Sequence, residues 1–117
     1  MAIEHVLAVV AVSDIERSEK WYTALFGRQP DNNPMPSLVE WQVLSGAWVQ
    51  VFSDPERAGK GLLNFAVGDL ERHLAEIGGR GVRAEAILDA NKGVRTCAVT
   101  DPDGNTINFI GGFRVDY

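Results

Sequence analysis

The sequence predicts an α+β domain made of two tandem copies of one unit, each with a single helix and about four strands. Two observations carry this. The stretch AVSDIERS, Ala11 to Ser18, returns as AVGDLERH, Ala66 to His73, at a constant offset of 55 that also places Leu7 on Leu62. Each copy is followed by hairpin signals, Ser45-Gly46 in the first half and Asp101-Pro102-Asp103-Gly104-Asn105 in the second. A spacing near half of a 117-residue chain means a duplicated supersecondary unit, since a solenoid needs three or more repeats to bury its faces.

The elements follow in order. Ile3 to Val12 reads as a strand apolar on both faces, hence covered on both sides. Ser13-Asp14-Ile15-Glu16 has the S-x-x-E form of a capping box, so a helix is expected from there. Ile15, Ser18, Tyr22 and Leu25, with Trp21 beside them, make its inner stripe, and Gly27 its left-handed stop. Arg28 to Pro36 carries three prolines and reads as an irregular connection with room for a short edge strand. Leu38 to Leu44 and Ala47 to Phe52 flank Ser45-Gly46 as a hairpin. The polar segment 54–60 is the linker between modules of about 1–53 and 61–110, together one domain over 1–117.

In the second copy, Leu62 to Val67 is a strand, and the next helix runs from Asp69 to about Ile77 with Leu70, Leu74 and Ile77 inward and a stop at Gly78-Gly79. Val82 to Ile87 is expected as a strand and 89–93 as a polar loop. Arg95 to Thr100 and Thr106 to Ile110 then form the hairpin about Asp101 to Asn105. That turn has acids at the first positions of an EF-hand, but Thr106 and Gly112 replace the required Gly and Glu, so it is read as a turn.

Composition narrows the function. The chain is 45% hydrophobic and 23% charged, as soluble globular chains are. Its longest apolar run, Val6 to Val12, is too short to cross a bilayer, and no secretory signal is expected at the N-terminus. A single cysteine, Cys97, fits a reducing cytoplasm and reads as a buried, inert thiol. The net charge of −5, without basic blocks, argues against nucleic acid as a partner and leaves cationic ligands open.

The duplicated units, the stretch AVSDIERSEKWYTALFGR and the hairpin DPDGNTINFI resemble the vicinal oxygen chelate superfamily, which includes glyoxalases, extradiol dioxygenases, fosfomycin-modifying enzymes and bleomycin resistance proteins. The resemblance implies two tandem βαβββ modules forming a half-open eight-stranded barrel around a cavity, commonly completed by a second subunit. It also implies four inward strand positions that hold a divalent metal by His and Glu. By alignment to the helix-capping Asp and the DPDG glycine these fall on Leu7, Leu62, Asn108 and, in the first hairpin, Gln50. None of the four offers an imidazole or a carboxylate, so neither metal nor cofactor is expected.

His5 shares the strand and face of Leu7 but lies about 7 Å away, and is read as a hydrogen-bonding residue rather than a ligand. His73 is read as a residue at the boundary of the second helix stripe. Alternation places Trp48 and Phe52 with Gln50, and Asn64 with Leu62, while Trp41 is expected at the cavity mouth. The expected ligand-binding set is therefore His5, Leu7, Trp41, Trp48, Gln50, Phe52, Leu62, Asn64 and Asn108. Two functions stand: a metal-free homodimer sequestering a planar or cationic organic molecule, as bleomycin resistance proteins do, or an enzyme. The enzyme would be a lyase, isomerase or dioxygenase with noncanonical metal ligands, or a metal-free catalyst using His5.

Overall fold

A computed structural model describes residues 2–113. Met1 and residues 114–117, which the sequence reading includes in the domain, lie outside the described residues. The first module contains β1 (Val6–Val12), α1 (Ile15–Phe26), β2 (Asn32–Met35), β3 (Leu38–Leu44) and β4 (Ala47–Ser53). The second contains β5 (Leu62–Val67), α2 (Leu70–Gly79), β6 (Leu88–Asn91), β7 (Val94–Thr100) and β8 (Thr106–Gly111). Each module makes its own four-stranded sheet, ordered β1-β4-β3-β2 and β5-β8-β7-β6. In each, the first strand is parallel to the last because a helix lies between them, and the other pairs are antiparallel meanders. These are two βαβββ modules.

The two sheets do not close into one barrel. Their helix-bearing faces supply a single core, in which Val10, Val12, Val39, Trp41, Val49 and Val51 of the first sheet join Cys97, Val99, Ile107 and Phe109 of the second. The rings of Phe26 and Phe65 meet edge-on across the module boundary, and Arg80 of the second module donates to the Ala24 and Leu25 carbonyls at the end of α1. β1 and β5 are outer strands of their sheets, each with an unpaired edge.

A buried polar joint also ties the modules. Asp101, 4% exposed, accepts from the backbone amides of Asp103 and Asn105 (both 2.9 Å), from Asn105 Nδ2 (2.8 Å), and from the Tyr22 hydroxyl on α1 (2.7 Å). Asn105 Nδ2 reaches the Ala11 carbonyl at 2.9 Å, and its Oδ1 receives the Gly61 amide at 2.7 Å. Burial, and then the adjacent Asp101 carboxylate, push the Tyr22 phenol far above its ordinary range, so it stays a donor.

Several expectations need correction. Ser13 does not cap α1: Asp14 does, accepting from the Arg17 amide as Asp69 does from Arg72, while Ser13 is drawn to Asp103 in the second module's turn. α2 runs through Gly78 and Gly79, and the first positive φ after it is at Gly81. Between Val82 and Ile87 there is one isolated bridge, Ala84 to Val99, whereas 89–93 is not a loop. There β6 pairs with β7 through a two-residue turn in which Lys92 (φ 51°) and Gly93 (φ 80°) both take the left-handed conformation that a tight hairpin needs.

Candidate functional site

Strand alternation assigns the faces. Val39 and Trp41 on β3 and Val49 and Val51 on β4 are buried toward the helix, so Glu40, Trp48, Gln50 and Phe52 fall on the other, open face with Leu7 and Val9. The same rule in the second module puts Leu62, Asn64, Thr106, Asn108 and Ile110 on its open face. Leu7 pairs with Trp48 and Val9 with Gln50; Leu62 pairs with Thr106 and Asn64 with Asn108. Since Val9 and Asn64 differ by the repeat offset, Gln50 and Asn108 occupy equivalent places.

The four positions at which the resemblance implies metal ligands, Leu7, Gln50, Leu62 and Asn108, all lie on these open faces. Both amides are already engaged: Gln50 Nε2 donates to Glu40 Oε2 at 2.8 Å and Asn108 Nδ2 to Asn64 Oδ1 at 3.0 Å. Two leucines and two neutral amides do not fit a divalent metal that wants about three anionic or imidazole donors. Among the described residues no group of three His, Cys, Asp or Glu side chains converges. Cys97 is buried, its Sγ donates to the Glu85 carbonyl, and burial raises its thiol above the ordinary range, so it is no nucleophile.

Of the expected ligand-binding set, Leu7 and Leu62 are 55% and 62% exposed, and Trp48, Gln50, Phe52 and Asn108 are half-buried on the open faces. His5 precedes β1 and is exposed. Trp41 is not at any mouth: it is fully buried on the opposite face, its ring between Tyr22 and Phe26 and its Nε1 donating to the Arg28 carbonyl at 2.9 Å. Glu40 is absent from the expected set. It is placed on the open face by the observed burial of its neighbours Val39 and Trp41, which alternation in the sequence alone does not fix.

A separate cleft of about 620 Å³ lies where the modules meet, lined chiefly by apolar side chains and also by Trp48, Asn64 and His73. Trp48 and Asn64 are thereby brought together within one chain, whereas Leu7, Gln50, Phe52, Leu62 and Asn108 line only the open faces. The His73 ring lies tilted against Phe109 with centroids 4.3 Å apart, and its Nε2 is buried without a partner. Ser18, one repeat earlier, holds the equivalent place, and its hydroxyl is likewise buried and unpartnered. Burial, outweighing the attraction of Glu76, holds the His73 imidazolium below its ordinary range. Below a pH of about 6.5 the unfolded chain binds a proton here that the folded chain refuses, so stability should fall as pH drops from about 6.5 toward the folded value. Urea melts of the wild type and His73→Leu at pH 7 and pH 5 check this: the variant should lose less on acidification, and parallel losses would refute it.

A sequence model of the Glyoxalase/Bleomycin resistance protein/Dioxygenase superfamily matches residues 2–109. The chain belongs to that superfamily. A glyoxalase/bleomycin resistance protein from Catenulispora acidiphila is 33% identical, with a TM-score of 0.86 over 92% of this chain and 96% of that one. TnmS3, an antibiotic-binding protein from Streptomyces sp. CB03234, is 25% identical, with a TM-score of 0.77 over 95% of this chain and 98% of its own. An integron cassette protein from the mobile metagenome of Vibrio cholerae, 18% identical with a TM-score of 0.73 over 96% of this chain and 98% of that one, shares the fold. Comparison with curated proteins found no match. Within the superfamily this chain keeps the duplicated scaffold. No helix among the described residues is long and apolar enough to cross a membrane.

Proposed function

We propose that this superfamily member binds a small organic molecule without a metal and without transforming it, in a cavity completed by a second copy of the chain. The observation that carries the reading is the open-face set Leu7, Gln50, Leu62 and Asn108, two from each module, with the rings of Trp48 and Phe52 either side of Gln50 on β4. Such a surface stacks and hydrogen-bonds but has no Lewis acid to hold and no base beside a nucleophile. The likeness to an antibiotic-binding protein supports the same class of function.

The second copy follows from what is left uncovered. Leu7, Val9 and Leu62 are all more than half exposed, and β1 and β5 each end a sheet with an unpaired edge. A two-fold arrangement in which β1 of each copy lies beside β5 of the other covers both edges by one operation. The open face of one first module then looks across at the open face of the partner's second module. Sedimentation should show a dimer at micromolar concentration.

The binding test uses tryptophan fluorescence against a panel of metabolites and antibiotics, with elemental analysis of the freshly purified protein. A ligand so found should bind at least about tenfold more weakly to Trp48→Ala, because a stacked, desolvated ring contributes over ~1.4 kcal/mol. Unchanged affinity in both Trp48→Ala and Gln50→Ala would place the site elsewhere. Stoichiometric metal lost on His5→Ala would favour an enzyme instead.

A further inference from the structure

Resting on that small-molecule reading, we infer that Glu40 selects the charge of the ligand and that the ligand is an organic cation: an ammonium, an amidinium or an N-alkylated aromatic ring. The rung Val9, Gln50, Glu40, Asn32 crosses the first sheet from β1 to β2. Glu40 is the one acidic side chain among the strand residues of that open face. Its Oε2 accepts from Gln50 Nε2 at 2.8 Å and its Oε1 from Asn32 Nδ2 at 3.2 Å. Both donors are neutral amides, so they orient the carboxylate without cancelling its charge. Among the described residues no Lys or Arg pairs with it.

A carboxylate accepts about four hydrogen bonds and only two are used, which leaves room for a cation. Trp48 and Phe52 stand two residues either side of Gln50 on β4 and are diagonal neighbours of Glu40, at about 7–8 Å. A cation over Glu40 is thus within reach of two aromatic faces, each of which attracts it further. The open face of the second module adds threonines and amides but no charged side chain on β5, β7 or β8 to repel or neutralise it. A purely structural Glu40, tying the β2–β3 hairpin through Asn32, would hold the strands equally well as glutamine.

Three probes of one flat shape separate these roles: N-methylacridinium (cation), acridine (neutral) and acridine-9-carboxylate (anion), each in equilibrium dialysis with the wild type and Glu40→Gln at pH 8. The wild type should bind N-methylacridinium about tenfold more tightly than acridine, a preference that added salt erodes, and the carboxylate most weakly. Glu40→Gln should bring the cation down to the acridine affinity and leave acridine unchanged, with circular dichroism and urea melts showing the fold retained. Equal binding of all three probes by the wild type would overturn charge selection while leaving a small-molecule site standing. A cation preference that survives Glu40→Gln would put the selecting group elsewhere and also overturn the inference. Failure of all three at millimolar concentration would remove the small-molecule site itself, and Glu40's role with it.

Discussion

Asp101→Ala should destabilise the protein by about 3–5 kcal/mol, the range for leaving the partners of a buried charged network unpaired. The substitution strands the Tyr22 hydroxyl and two backbone amides at once and takes one of two acceptors from Asn105 Nδ2, in a place only 4% exposed. It also loosens Asn105, which bridges to the Ala11 carbonyl and the Gly61 amide. For a domain of this size the melting temperature should fall by roughly 10–20 °C. Tyr22→Phe, which removes one donor and leaves the turn intact, should cost only about 1 kcal/mol. Urea and thermal melts measure both; an Asp101→Ala loss under about 1 kcal/mol would mean that water readily replaces the carboxylate.

Trp41→Ala should cost a similar amount, about 3–5 kcal/mol, because it removes a large, fully buried ring from between Tyr22 and Phe26 and strands the Arg28 carbonyl. Trp48→Ala should cost far less stability, since that ring is half-exposed on the open face. The two tryptophans therefore separate folding from binding: Trp41→Ala should show in denaturation, Trp48→Ala in ligand affinity. Equal losses of stability would show that Trp48 is also core and that the open face is covered within the chain.

The face of Trp41 is not legible from sequence, because Leu38, Val39, Trp41, Val43 and Leu44 put apolar groups on both faces of β3, and the register shift between Gln42 and Leu44 blurs the phase further. Alternation alone has nothing to anchor it there. On β4 and β8 the polar Gln50 and Asn108 sit among apolar neighbours and set the phase, which is why their equivalence was legible. Ser13 and Asp14 are both good capping residues; the second copy keeps only the Asp, as Asp69 after Gly68, and Ser13 is free to contact Asp103, 90 positions away. β6 was hidden because its exposed strand offers no alternation at all. The failure of the two sheets to close within one chain is a matter of how the modules pack, to which the repeat is blind.

The joint at Asp101 gives the duplicated scaffold a direction. Its acceptors lie in the turn of the second half, and the groups that grip it come from the first: Tyr22, whose counterpart 55 residues on is Ile77, and Ser13, whose counterpart is Gly68. The second half cannot grip a turn in that way, and the first half, with its two-residue Ser45-Gly46 hairpin, has no such turn to be gripped. The ancestral symmetry has been broken into plug and socket. A chain assembled from two first halves would have two sockets and no plug, one from two second halves the reverse, and neither would form this joint. Each half makes its own sheet, and divergence at these few positions has made the two halves no longer interchangeable.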